Sequence, residues 1–278
     1  MMLRHVIVRL AFCGAMIAVT GDRAAAMPEM GDGFKLRKMS VATDIEDERL
    51  RSKNGSQARR LLGLYPHLAA DARYDRFYFG GKAGPRKLTG LVGDGPGAFR
   101  VDAYGYRLSG YGAWMPIPGL FVGVGGAYQK DSGELTNAFA QLNAELSGYE
   151  IRPQILAVVP YDDVEFEFFV GANLIDATLV VDGFNDERFK TEDADAGAEI
   201  LAPLVDGIHV MLGVEGRYTW RQDVVLGGAG RDKYSAKFET GLDCALPRDT
   251  TPQIRLSMRP RDSAANDQLL RAKLVRTY

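Results

Sequence analysis

Cysteine, histidine and tryptophan are scarce in these 278 residues, and long apolar runs are missing. There are two cysteines, three histidines and two tryptophans. Cys13 lies near the start, which leaves Cys244 alone in the body of the chain and excludes an intramolecular disulfide there. Past the first segment nothing approaches the roughly 18 apolar residues of a membrane helix, so any crossing of a bilayer has to be made by strands. A basic excess is also lacking. The formal net charge is −2, which offers no general surface for nucleic acid. Neither a Gly-x-Ser-x-Gly elbow nor a glycine-rich phosphate loop closed by Lys-Ser or Lys-Thr occurs. Gly93-Asp94-Gly95-Pro96-Gly97 and Gly227-Gly228-Ala229-Gly230 lack the strand before and helix after that a dinucleotide loop needs, and read as plain loops.

What is present begins at the N-terminus. Arg4, His5 and Arg9 form a basic region, Leu10 to Thr20 is uncharged and mostly apolar, and Arg23-Ala24-Ala25-Ala26 supplies small residues. This order reads as a secretory signal over 1–26, cut after Ala26. Leu10-Ala11-Phe12-Cys13 imitates a lipoprotein box, but Phe12 is bulky where a small residue is required. Removing the signal takes away Arg4, Arg9, Arg23 and Asp22, leaving 31 basic and 35 acidic residues from the original 34 and 36.

The rest divides in two. Residues 27–97 are expected to be a periplasmic extension, partly helical or disordered. Asp44 to Lys53 is densely charged, and Ser56 to Tyr65 reads as a short helix opened by a serine cap and closed at Pro66. From residue 98 to 278 apolar and polar residues alternate at period two. Val164, Phe166, Phe168, Val170, Ala172 and Leu174 share one face, against Glu165, Glu167 and Asn173. Ile208 to Tyr218, Tyr234 to Cys244 and Ala138 to Leu146 repeat the design. These runs are longer than ordinary strands and match tilted strands that cross a bilayer. The expected fold is all-β: an antiparallel transmembrane β-barrel of about ten strands (8–12). The strands are expected near 98–114, 119–130, 135–147, 149–160, 163–176, 194–204, 207–220, 233–245, 251–260 and 268–278. With the C-terminus inside, 177–193, 221–232 and 261–267 become outer loops, and 205–206 and 246–250 periplasmic turns. The outer ones are longer, as in bacterial barrels. Arg73 to Gly81 also reads as a strand that this count leaves unplaced, and Arg276 interrupts the apolar alternation before the terminal Tyr278.

The strand Val101 to Trp114 is rich in glycine and tyrosine, and Phe168 to Asn173 and Tyr278 follow the same texture. On these features the chain resembles small bacterial outer-membrane β-barrel proteins over residues 98–278. More narrowly, it resembles the outer-membrane barrels associated with bacterial cellulose biosynthesis. The resemblance implies residence in the cell outer membrane and contact with outer-membrane lipid and the barrel-assembly machinery. It also implies a structural role or one that assists surface export, with a surface polysaccharide or an export complex as partner.

Two residue sets follow from the barrel reading. Glu215, Arg217, Lys237, Glu239, Arg255 and Arg259 fall on the polar faces and are candidates for a lumen-facing charge network. Trp114, Tyr128, Tyr161, Tyr218, Trp220, Tyr234 and Tyr278 fall near strand ends and are candidates for aromatic girdles. His67 and His209 are the histidines left after removal of 1–26; His209 lies next to a periplasmic turn, reads as a local hydrogen-bonded pair with Asp206 and has no nucleophile or base positioned beside it, so no catalytic residue is assigned. Asp162-Asp163 and Glu192-Asp193 with Asp195 lack the ligand spacing of a calcium loop. No enzyme activity, cofactor, metal or nucleic-acid partner is expected. Three rival readings remain open: a soluble periplasmic barrel that binds a small ligand, a narrow outer-membrane channel, and a surface enzyme.

Overall fold

Successive side chains of a strand point to opposite faces, so alternation sustained over ten residues or more makes a sheet with two unlike sides. A single sheet of this kind keeps two unpaired edges unless it closes on itself. In the computed structural model it closes. The structure describes residues 34–52, 57–92, 97–184, 186–222, 233–244, 250–259 and 265–277. They form twelve strands: β1 (Phe34–Ser52), β2 (Gln57–Tyr74), β3 (Phe77–Val92), β4 (Phe99–Ile117), β5 (Leu120–Thr136), β6 (Gln141–Tyr161), β7 (Val164–Val181), β8 (Glu187–Val205), β9 (Ile208–Gln222), β10 (Tyr234–Cys244), β11 (Thr250–Arg259) and β12 (Ala265–Thr277). Each pairs antiparallel with its neighbours in sequence, and β1 pairs with β12 from Ser40↔Thr277 to Ser52↔Ala265 to close the barrel.

The strand count is therefore twelve rather than about ten, for two reasons. The expected strands 135–147 and 149–160 are largely one strand, β6, in which Gly148 and Tyr149 continue the pairing with Gln129 and Tyr128. Residues 34–92, expected to be an extension, instead supply β1, β2 and β3. The unplaced Arg73–Gly81 segment is the hairpin between β2 and β3. The helix expected up to Tyr65 is strand. Leu61, Tyr65 and His67 turn inward and are buried, while Leu62, Leu64 and Leu68 are exposed on the outside. Helix propensity is a weak prior there, and pairing to both neighbours overrides it. The signal segment 1–26, with Cys13, lies outside the described residues, as does Tyr278.

The two ends of the barrel differ. Asp75-Arg76, Pro118-Gly119, Asp162-Asp163 and Asp206-Gly207 make two-residue turns at one end, where Phe34 and Thr277 also lie. Positive φ falls on Asp75, Gly119, Asp162 and Gly207, residue types that tolerate it. Segments 53–56, 93–98, 137–140, 182–186, 223–233 and 260–264 connect strands at the other end and are longer than these four turns, while 245–249, between β10 and β11 at the short-turn end, has five residues. In outer-membrane barrels short turns are periplasmic and longer loops external. The loop expected over 177–193 is confined to 182–186, because both of its flanks extend β7 and β8.

The faces are inverted relative to a soluble barrel. Outward side chains include Val122 and Val124 of β5, Ile151 and Ile155 of β6, Phe168 and Val170 of β7, Leu212 and Val214 of β9, and Ile254 and Leu256 of β11, all exposed. Burying one such side chain is worth about 1.5–3 kcal/mol, and soluble monomers expose apolar patches of no more than a few hundred Å². A belt around the whole barrel needs lipid to cover it. Toward the loop end the pattern reverses. On β6, Gln141, Asn143 and Glu145 face out while Leu142, Ala144 and Leu146 face in. Arg100 of β4 and Arg188 of β8 are exposed outside, with Phe99 and Phe189 buried inside. A bilayer needs only about 9–11 residues of tilted strand, and β6 has 21. The excess projects beyond the lipid and follows the pattern of a protein in water.

Candidate functional site in the barrel lumen

The interior is arranged in layers along the strands. At the short-turn end, on the side of β3 to β5, Tyr78 packs edge-on to Phe121 with ring centroids 5.3 Å apart, and Met115 lies 3.8 Å from the Tyr78 hydroxyl. The middle is charged, because inward positions there carry Asp, Glu, Arg and Lys. The loop end is apolar along β2 to β8.

The charged layer holds two groups of ion pairs. On β6 and β8 to β11, Arg152 donates to Asp195 at 2.7 Å. Arg217 lies 3.0 Å from Glu215 and 3.7 Å from Asp193. Lys237 bridges Glu215 at 2.9 Å and Glu239 at 3.1 Å. Arg255 grips Asp243 through two nitrogens, at 3.0 and 3.1 Å, and Gln253 donates to the same carboxylate at 3.3 Å. On β1 to β5, Asp44 receives Lys82 at 3.4 Å, His67 Nδ1 stands 3.9 Å from it, and Arg86 pairs with Asp131. The Tyr65 ring stacks on His67 at 4.7 Å, and its hydroxyl donates to the Arg107 carbonyl at 3.0 Å.

Five of the six sequence-derived charge candidates stand in this layer. Glu215, Arg217, Lys237 and Glu239 are linked to one another, and Arg255 belongs to the adjoining Asp243 pair. Arg259 is on β11, and its side chain lies outside the described ones. Sequence reasoning missed the buried partners Asp193, Asp195, Asp243 and Arg152, and the whole Asp44–Lys82–His67 group. The alternation signal was available for the first four. For β1 to β3 it was masked by the density of charge in 44–53 and by the helix-like run after Ser56.

The aromatic candidates fall into two sets. Trp114 and Tyr161 are exposed on the outer wall near the short turns. Tyr218, Trp220 and Tyr234 gather toward the loop end of β9 and β10, with Tyr218 5.0 Å from Tyr234 and 6.5 Å from Trp220. Tyr128 stands farther along β5 than Trp114 does from its turn, 6.0 Å from Tyr106, where outward residues change from apolar to charged. His209 is the second residue of β9, beside the Asp206-Gly207 turn and opposite Asp243 in register. Among the described residues no group of three or more His, Cys, Asp and Glu is arranged to hold a metal ion.

No protein-family model matches the sequence, and no curated protein matches it. Solved structures do match. The translocator domain of the autotransporter NalP from Neisseria meningitidis has a TM-score of 0.63 at 12% identity, covering 91% of each chain. The β-domain of the Bordetella autotransporter BrkA has a TM-score of 0.58 at 12% identity, covering 86% of this chain and 98% of that one. An outer-membrane channel from Pseudomonas putida also has a TM-score of 0.58 at 12% identity, covering 91% of this chain and 100% of that one. The fold of this chain is that of bacterial outer-membrane β-barrels, shared alike by translocator domains and channels.

Proposed function

We propose that this protein is a non-enzymatic outer-membrane β-barrel with a closed lumen, serving a structural role or assisting export at the cell surface. The carrying observation is the lumen itself. Many of its inward cations stand within ion-pair distance of carboxylates on the same or a neighbouring strand, as in the Arg217–Glu215–Lys237–Glu239 chain. A twelve-stranded barrel is wider than the eight-stranded kind whose interior side chains just fill it. Here inward Tyr65, Arg107, Glu150, Arg152, Glu215 and Lys237 are all buried, which supports a lumen filled by long side chains. The outward apolar belt supports outer-membrane residence over the soluble periplasmic reading. Detergent extraction of fractionated cells is expected to release the protein from the outer-membrane fraction; recovery in the salt-soluble periplasmic fraction would overturn this. Planar-bilayer recordings of the purified protein are expected to lack a large stable conductance.

Surface polysaccharide is the cargo class that the resemblance implies. A deletion strain is then expected to lose surface polysaccharide without loss of other outer-membrane proteins. A narrow gated channel is the second reading, favoured by the two groups of charged side chains in the middle of the barrel.

A further inference from the structure

The apolar cluster at the loop end is a feature that neither a scaffold nor a lipid-facing belt requires. Its fully buried members come from β2 to β5, β7 and β8: Leu61 of β2, Leu88 of β3, Val101 of β4, Leu135 of β5, Leu179 of β7 and Phe189 of β8, with partly buried Leu142, Ala144 and Leu146 of β6 packed against them. Leu61 and Leu135 are each only 2% exposed, although both point into a barrel interior. The order along the chain places the cluster outside the charged layer on every strand that carries both. Leu135 lies beyond Gln129 and Asp131 on β5, and Leu179 beyond Asn173 on β7. Phe189 precedes Asp193 and Asp195 on β8, and Val101 precedes Arg107 on β4, both toward the external loops.

We propose that this cluster is the seal of the lumen, a dry septum that separates the charged layer from the cell exterior. This rests on the closed-lumen reading and assigns the closure to one place. The two layers treat an ion differently. In the charged layer a passing ion meets carboxylates and guanidiniums that replace part of its hydration. In the apolar layer an ion would lose water and gain no partner, and constrictions of this kind close by dewetting. The outer parts of the strands project beyond the lipid, so the seal sits outside the bilayer and is free to move without disturbing the lipid-facing wall.

The test is a planar-bilayer recording of the full chain with folding checked by heat-modifiable gel mobility. The wild type is expected to be silent. Leu135→Asn combined with Leu179→Asn is expected to produce discrete openings, since polar side chains let water bridge the layer. Phe189→Ala removes a ring without adding polarity and is expected to give briefer openings, which keeps the test decisive if the double variant does not fold. Folded variants that stay silent like the wild type would overturn the seal while leaving the closed lumen standing. A wild type with a stable open conductance would overturn the closed lumen and the seal together. Openings in Glu215→Gln with the apolar cluster intact would overturn the seal, because closure would then lie in the charged layer.

Discussion

At the scale of single residues, the barrel is sensitive where the lumen charges share partners. Glu215 is 2% exposed and lies within 3.0 Å of both Arg217 and Lys237. Glu215→Leu removes one carboxylate from two buried cations. Breaking a buried pair on one side typically costs about 3–5 kcal/mol, so the urea midpoint of the detergent-solubilised protein should fall sharply. Exposed Arg188 pairs with Asp176 on the outer wall, where its own side chain is 62% accessible. Arg188→Ala leaves the buried Asp176 carboxylate with Lys190 at 3.4 Å and the Tyr149 hydroxyl at 3.1 Å, so it should lower the same midpoint less than Glu215→Leu does. Gly84 is a second sensitive point. It lies where the β2–β3 ladder is interrupted, without a change of register, between Leu64↔Lys87 and Leu68↔Ala83. A Cβ there would meet the Pro66 carbonyl and come within 2.8 Å of the His67 Cα. Gly84→Val is expected to reduce the folded, heat-modifiable fraction, and an unchanged fraction would show that the two strands have room to separate.

At the scale of the strand, one element can carry two solvents. β7 faces out with Phe168 and Val170, then with Asp176 and Thr178, while its inner face changes from Asn173 to Ala177 and Leu179. Arg at the bilayer midplane costs about 2–4 kcal/mol, falling to about 0–1 near the interface. Val170→Arg should therefore destabilise the folded barrel in lipid by that larger amount, and Thr178→Arg hardly at all. Equal effects from unfolding titrations in vesicles would place the membrane boundary elsewhere. The period of this strand was readable in the sequence, and so were its two faces up to Leu174. The reversal beyond it was not. Alternation says which residues share a face, and both arrangements of solvent give the same period. Ala138 to Leu146 shows this: its apolar residues alternate as expected, but Leu142, Ala144 and Leu146 face the interior.

At the scale of the whole molecule, closure depends on the segment that resembled an extension. β1 pairs with both β2 and β12, and β12 otherwise ends the sheet. Deleting residues 34–52 should therefore abolish the folded form in outer-membrane extracts. A dispensable extension would leave assembly intact. The loop-length asymmetry between the two ends was legible, because hairpin turns carry Asp and Gly signals such as Asp206-Gly207 that do not depend on distant contacts. The number of strands was less so. Gly148 inside β6 looked like a break, and only continued pairing with β5 and β7 makes it strand interior.

Local chemistry determined the all-β character, the polar and apolar faces of β7, β9 and β10, and the side of the barrel on which the short turns fall. Each follows from side-chain alternation or turn preference within a few residues. Tertiary structure alone decided the rest: that β1 to β3 belong to the wall, that Asp193, Asp195 and Arg152 join the charged layer, and that the outer ends of β2 to β8 hold an apolar cluster. Those outcomes depend on pairing between distant segments and on where lipid gives way to water along a strand.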